Sequence, residues 1–115
     1  MKSFFWPQFR CDLGEIEKSC GYSALDNMSQ RTLEWVANEE KVRPVINVQT
    51  VIMESGDASP ATLHKALRSL QYEGFLSIEM DKKDTRRRII KTTSKARNML
   101  DRLSSELIKM VLRAR

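Results

Sequence analysis

A chain of 115 residues that is 41% apolar and 30% charged can bury one modest core and is too apolar for a disordered tail. Its formal charge of +5 is uneven: residues 1–80 hold 8 Lys/Arg against 11 Asp/Glu, and residues 81–115 hold 12 against 4. So lopsided a field points to a polyanion, nucleic acid before others, with a solvated charged face as the bland alternative.

The first ten residues, Met1 to Arg10, carry Phe4, Phe5, Trp6 and Phe9, four of the eight aromatics. Their apolar run is too short for a signal peptide, and nowhere does the chain approach the ~20 apolar residues of a membrane span, so no membrane partner and a cytoplasmic location are expected. An aromatic cluster of this size needs a cover. It can pack on its own domain, across a dimer, or as the wall of a ligand pocket. Cys11 and Cys20 are too few and too widely spaced for a disulfide framework or a zinc pair, and reduced thiols are expected. Asp12 to Tyr22 reads as a short helix or turn ending at Gly21.

Ser23 or Asp26 can cap a helix running to about Glu40, with Leu25, Thr32, Leu33, Val36 and Ala37 inward. Pro44 ends the segment, because the residue before a proline avoids the α region. Val45-Ile46 fits a short strand, and Asn47 can cap a short helix to about Met53 despite its β-branched content. Gly56 to Ala58 is the expected turn into the next helix.

That next helix is the most legible element. Ser59 is a good N-cap and Pro60 suits the first helical position. Leu63, Ala66, Leu67 and Leu70 form one narrow apolar stripe, and Gly74 stands where a left-handed C-terminal cap is wanted. The opposite face holds Ala61, Lys65, Arg68 and Tyr72, flanked by Thr62, His64 and Ser69. After Gly74 the period becomes alternating: Phe75, Leu76, Ile78 and Met80 lead into a polar, cationic tip, and Arg88 to Lys91 leads out. A helix with a basic outer face followed by a hairpin with a basic tip is a winged helix-turn-helix layout, whose helix fits the DNA major groove and whose tip reaches phosphate or minor groove.

From Thr93 onward, Ala96, Leu100, Leu103, Leu107, Met110 and Ala114 recur at heptad spacing, and Met99, Ile108, Val111 and Leu112 widen the apolar surface. A single small domain cannot bury all of it. This helix is expected to be the main dimerisation element, with folding back on the N-terminal segment as the alternative.

The run from Ser59 to Leu76 resembles the recognition helix of the multiple-antibiotic-resistance regulator (MarR) family. Asp81-Lys-Lys83-Asp-Thr-Arg86 is similar to that family's wing signature, Asp-x-Arg-x-x-Arg/Lys, and Thr92-Thr-Ser-Lys-Ala-Arg97 resembles its Leu-Thr-x-Lys-Gly run; together these cover about residues 25 to 105. Lys83 stands where the family has Arg, and Ala96 where it has Gly. The resemblance implies a mainly α fold with a small β-hairpin (α+β), a winged helix-turn-helix at 25–91, an N-terminal arm at 1–24 and a dimerisation helix at 92–115. It further implies DNA binding as a homodimer, a small aromatic effector in some members, and in others peroxide sensing through an N-terminal cysteine; Cys11, beside Arg10, lies in a comparable place. A chain this short can equally lack an effector pocket.

The expected contacts with double-stranded DNA are Ser59, Ala61, Thr62, His64, Lys65 and Arg68 from the helix, and Lys82, Lys83, Arg86, Arg87 and Arg88 from the wing. Arg86 has a second expected role, bracing the wing by pairing with Asp81. The expected dimer contacts are Phe4, Phe5, Trp6, Phe9, Leu100, Leu103, Leu107, Met110 and Val111. A single histidine, His64, leaves no base for nucleophilic catalysis, and no phosphate loop or metal-ligand spacing appears, so neither an enzyme nor a cofactor is expected. Three functions fit: a dimeric transcriptional regulator, most simply a repressor; a DNA-binding accessory protein of replication, partition or mobile-element maintenance; and a winged-helix module that docks on protein.

Overall fold

The structure, a computed structural model, describes residues 5–56 and 58–113. Phe4, Asp57 and Ala114 lie outside the described residues. The described elements are α1 (Phe5–Ser19), a 3₁₀ turn (Tyr22–Ala24), α2 (Asn27–Glu39), β1 (Ile46–Asn47), α3 (Val48–Glu54), α4 (Pro60–Tyr72), β2 (Leu76–Met80), β3 (Arg88–Thr92) and α5 (Ser94–Arg113). This is an α+β winged helix: helices with one three-stranded antiparallel sheet in the order β1-β3-β2. The chain divides into two compact units, Asp26–Arg97 and a second made of Met1–Leu25 with Asn98–Arg115.

Helix starts in the first unit follow their caps. Asp26, not Ser23, caps α2, its carboxylate accepting from the Ser29 N–H at 2.8 Å; Asn47 caps α3 and Ser59 caps α4 in the same way. The end of α4 is a Schellman motif: Gly74 adopts φ 84°, its N–H reaches the Gln71 carbonyl, and the Phe75 N–H reaches the Leu70 carbonyl at 2.8 Å. Leu70 and Phe75 are both buried, the apolar contact that accompanies the motif. The turn therefore fixes where the hairpin leaves the helix.

The core is the buried side of α2 and α4 against the inner sheet face. Leu33, Val36, Val51, Leu63, Leu67, Leu70, Ile46 and Ile90 are almost wholly excluded from solvent. Strand register pairs Ile46 with Ile90 and Ile90 with Ile78, placing these side chains on one face. Polar clamps close the edges. The Glu40 carboxylate accepts from the Thr92 N–H (3.0 Å) and hydroxyl (2.6 Å), the Thr93 hydroxyl donates to the Gly74 carbonyl (2.6 Å), and Lys95 donates to the Glu73 carbonyl (2.6 Å) while lying 4.4 Å over the Phe75 ring. These contacts tie both ends of the hairpin to α2, α4 and the first turn of α5.

In the second unit α1 is longer than the sequence reading allows. It begins at Phe5 rather than near Asp12, because Pro7 falls in the first turn, where the missing N–H has no intrahelical partner to lose. Phe9 thereby stacks on Trp6 (5.7 Å) and meets Phe5 at a tilt (5.6 Å), and Arg10 lies over the Trp6 ring. Gly21, at φ 84°, ends the segment as expected. None of the described residues of α1 is buried, and α5 leaves Ile108, Val111 and Leu112 exposed.

Two substitutions should move stability in opposite directions. Leu67→Ala opens a cavity in the α2/α4 contact and should cost about 2–5 kcal/mol. The Thr32 hydroxyl is buried on α2 without a hydrogen-bond partner, so the isosteric Thr32→Val should raise stability by about 1 kcal/mol. Urea denaturation with unchanged slope measures both.

Candidate nucleic-acid interface

Helix α4 buries Leu63, Ala66, Leu67 and Leu70, which turns Ala61, Thr62, His64, Lys65 and Arg68 to solvent. Ser59 is exposed too, although its hydroxyl is engaged, accepting from the Thr62 N–H (3.3 Å) and lying 3.0 Å from the Thr62 hydroxyl. The two hydroxyls thus cap the helix and remain at the surface. Tyr72, last on this face, is 90% exposed.

Beside α4 runs an open cleft of about 790 Å³ bounded by α3, α4 and the wing. Its cations are Arg86, Arg87 and Arg88; His64 lines it from α4, and Asn47, Gln49 and Met53 line it from β1 and α3. The wing divides its charge, since Lys82 and Lys83 line a separate hollow on the sheet with Val45, Glu79 and Met80. Lys65 and Arg68 stand on the open face of α4. The expected helix and wing residues are therefore all exposed, but only His64 and the three arginines share the cleft.

Gln49 and Met53 were absent from the sequence expectation. They lie four residues apart on α3, the Gln49 amide nitrogen 3.2 Å from the Met53 sulfur, opposite the buried Val51, and Met53 is 71% exposed. A large apolar side chain turned outward at this spacing is the signal that a helical wheel of α3 offers. Nearby, Arg43 bridges Glu39 (2.7 Å) and Glu54, tying the α2–β1 loop to the end of α3. Each carboxylate holds the guanidinium charged, and the Arg43 bond keeps the Glu54 carboxyl below its usual range.

The wing tip corrects one expectation. Asp81 does not pair with Arg86; its carboxylate accepts from the Lys83 N–H at 2.9 Å. Asp84 takes that place. Its carboxylate accepts from Arg86 Nε (3.2 Å), from the Arg86 backbone N–H (3.1 Å) and lies 3.6 Å from Arg87 Nε, while its carbonyl accepts from the Arg87 N–H. The tip curls back on itself through an Asx-type turn, and the chain closes where Asp81 N–H meets the Arg87 carbonyl at 2.9 Å.

Of the expected dimer residues, Phe5 and Trp6 are more than half exposed, Val111 is exposed, and Phe9, Leu100, Leu103 and Leu107 are partly covered. Met110 is buried in the single chain, and Ile108 and Leu112 are exposed in its stead. Cys11 is exposed on α1 and Cys20 is half-buried. Among the described residues no three His, Cys, Asp or Glu side chains converge, and no helix is long and apolar enough to cross a membrane.

No protein-family model matches the chain, and neither does any curated protein. Solved structures do share the fold. A variant of S. aureus MepR bound to an oligodeoxyribonucleotide superposes with a TM-score of 0.68 at 16% identity, covering 98% of this chain and 83% of the other. YusO from Bacillus subtilis gives 0.69 at 11% identity over 95% and 72%. A MarR-family transcriptional regulator from Silicibacter pomeroyi gives 0.57 at 20% identity over 95% and 68%. The chain thus has the winged-helix fold of MarR-type structures.

The Asp84 contacts have a consequence for pH. The Arg86 side chain, then its backbone N–H, holds the Asp84 carboxyl below the usual carboxylate range. A depressed native pKa means that its contribution to wing order is fully present above the ordinary carboxylate pKa and is lost as pH falls through the lowered one. The Asp84 carboxyl resonance should titrate at lower pH in the folded protein than in a peptide spanning residues 79–90; coincident titrations would show the contacts to be absent in solution.

Proposed function

We propose that this chain is a dimeric, sequence-specific DNA-binding transcriptional regulator, acting as a repressor by occluding a promoter. The observation that carries the reading is the two-sidedness of α4: one face is locked into the core and the other presents Lys65 and Arg68 beside a cleft edged by three arginines. A helix so mounted fits the major groove, where Arg and Lys read guanine edges and short hydroxyls such as those of Ser59 and Thr62 meet bases or phosphate. Ala61, with no side chain beyond a methyl, lets the helix start approach closely. Lys82, Lys83, Arg86, Arg87 and Arg88 supply charge along the flanking backbone.

Dimerisation rests on Phe5, Trp6 and Phe9 of α1 with Leu100, Leu103, Leu107 and Val111 of α5, joined by Ile108 and Leu112. The exposure of Phe5, Trp6, Ile108, Val111 and Leu112 in the single chain supports this, since apolar patches of such residues are seldom left to water. A two-fold pair of α4 helices would read half-sites roughly 34–36 Å apart, and the site would be palindromic. The S. aureus MepR–DNA complex, of the same fold at 15% identity and a TM-score of 0.69, supports nucleic acid as the partner.

Selection of bound sequences from random DNA should return an inverted repeat with half-sites one helical turn apart. Lys65→Ala and Arg68→Ala should each weaken the selected site by about 1–3 kcal/mol per half-site and relax one position in each, while Lys82→Ala should reduce the salt slope by about 0.9 per protomer with little loss of sequence preference. A response flat in salt would rule DNA out. Val111→Asp should convert the dimer to monomer in sedimentation and abolish the palindromic preference; an unchanged sedimentation coefficient would place the dimer contact elsewhere.

A further inference from the structure

The wing presents its cations already matched to an anion. Arg86 and Arg87 have side chains 89% and 64% exposed, yet both guanidinium groups turn to the one carboxylate of Asp84, itself 31% exposed. Arg86 uses its Nε and Nη2 edge, at 3.2 and 3.5 Å from the two carboxylate oxygens. That is the edge with which an arginine grips a phosphate bidentately. Asp81 is no substitute, because its carboxylate accepts from the Lys83 backbone N–H.

We propose that Asp84 is an internal competitor for phosphate: it holds the donors of Arg86 and Arg87 in the unbound wing and must surrender them when the wing meets a nucleic-acid backbone. The inference rests on the DNA-binding reading and deepens it by assigning a residue that sets the wing's affinity. An exposed ion pair is weak, so phosphate displaces it readily. Two effects nevertheless remain. The carboxylate stays close to the incoming phosphate as a like charge, and the effective charge that the wing contributes to counterion release is reduced. Asp84 also builds the wing: its Oδ1 accepts the Arg86 N–H and its carbonyl accepts the Arg87 N–H, so the residue that lowers affinity also shapes the loop that presents the arginines. Asparagine keeps the side-chain acceptor and removes the charge; alanine removes both.

The test uses the full chain and a mixed-sequence DNA duplex, titrated at several salt concentrations. Asp84→Asn should bind about tenfold tighter than wild type at low salt, with a steeper salt slope. Asp81→Asn changes net charge equally and keeps its own loop acceptor, and should gain no more than about threefold. Asp84→Ala should gain less than Asp84→Asn, because the turn loosens. Asp84→Asn should gain little when it is made in an Arg86→Gln background and compared with Arg86→Gln alone, a coupling that a simple change of net charge, which adds the same increment in both backgrounds, does not produce. Equal gains for Asp84→Asn and Asp81→Asn, or a gain that survives Arg86→Gln, would overturn the inference while wild-type binding stands. Wild-type binding without salt dependence would instead overturn the DNA reading, and this inference with it. Thermal unfolding of each variant establishes that the fold is retained.

Discussion

Burial of one stripe on one helix is the constraint from which the rest follows. Leu63, Ala66, Leu67 and Leu70 are each at most 4% exposed, and together they fix the rotation of α4 about its own axis. Rotation cannot be altered without moving leucine into water at about 25 cal/mol per Å². Because the side chains at Lys65 and Arg68 are bound to the same helical frame, the core decides where the positive charge points. The surface is, in this sense, an output of the interior.

The second constraint is the turn after α4. Gly74 in the left-handed region and the paired bonds from Gly74 and Phe75 set the angle at which the hairpin departs, and the Thr93, Lys95 and Glu40 contacts hold its base. A β-branched or bulky residue at Gly74 would be strained whatever space it found. Through these few groups the wing keeps its arginines near α4, so that α3, α4 and the wing edge a single cleft.

Most of the winged unit was legible because its signals are local. Ser59-Pro60, the leucine stripe, Gly74 and the change to alternating period predict α4 and the hairpin within a residue or two, and Asn47 caps α3 in spite of the β-branched residues behind it. What escaped depends on tertiary placement or on competition between near neighbours. Pro7 looks like a break, but in a first turn it is neutral, so α1 reaches Phe5. The wing signature singles out Asp81; only the curl of the tip brings Asp84, at an unspecified position of that signature, onto Arg86. Gln49 and Met53 carry no charge to attract notice, and their exposure follows from how α3 is set against α4. Lys82 and Lys83 belong to the same basic run as the arginines, yet they lie in the bend just after β2 and line another surface.

Lysine acetylation with and without bound duplex, read by mass spectrometry, reports whether the core turns the basic face of α4 into a groove of duplex DNA. Lys65 should be freely modified in the unbound protein and protected on the DNA, whereas Lys18 on α1, exposed in the same chain, should react equally in both states. Equal modification of Lys65 with and without DNA, under conditions where binding is saturated, would contradict the account.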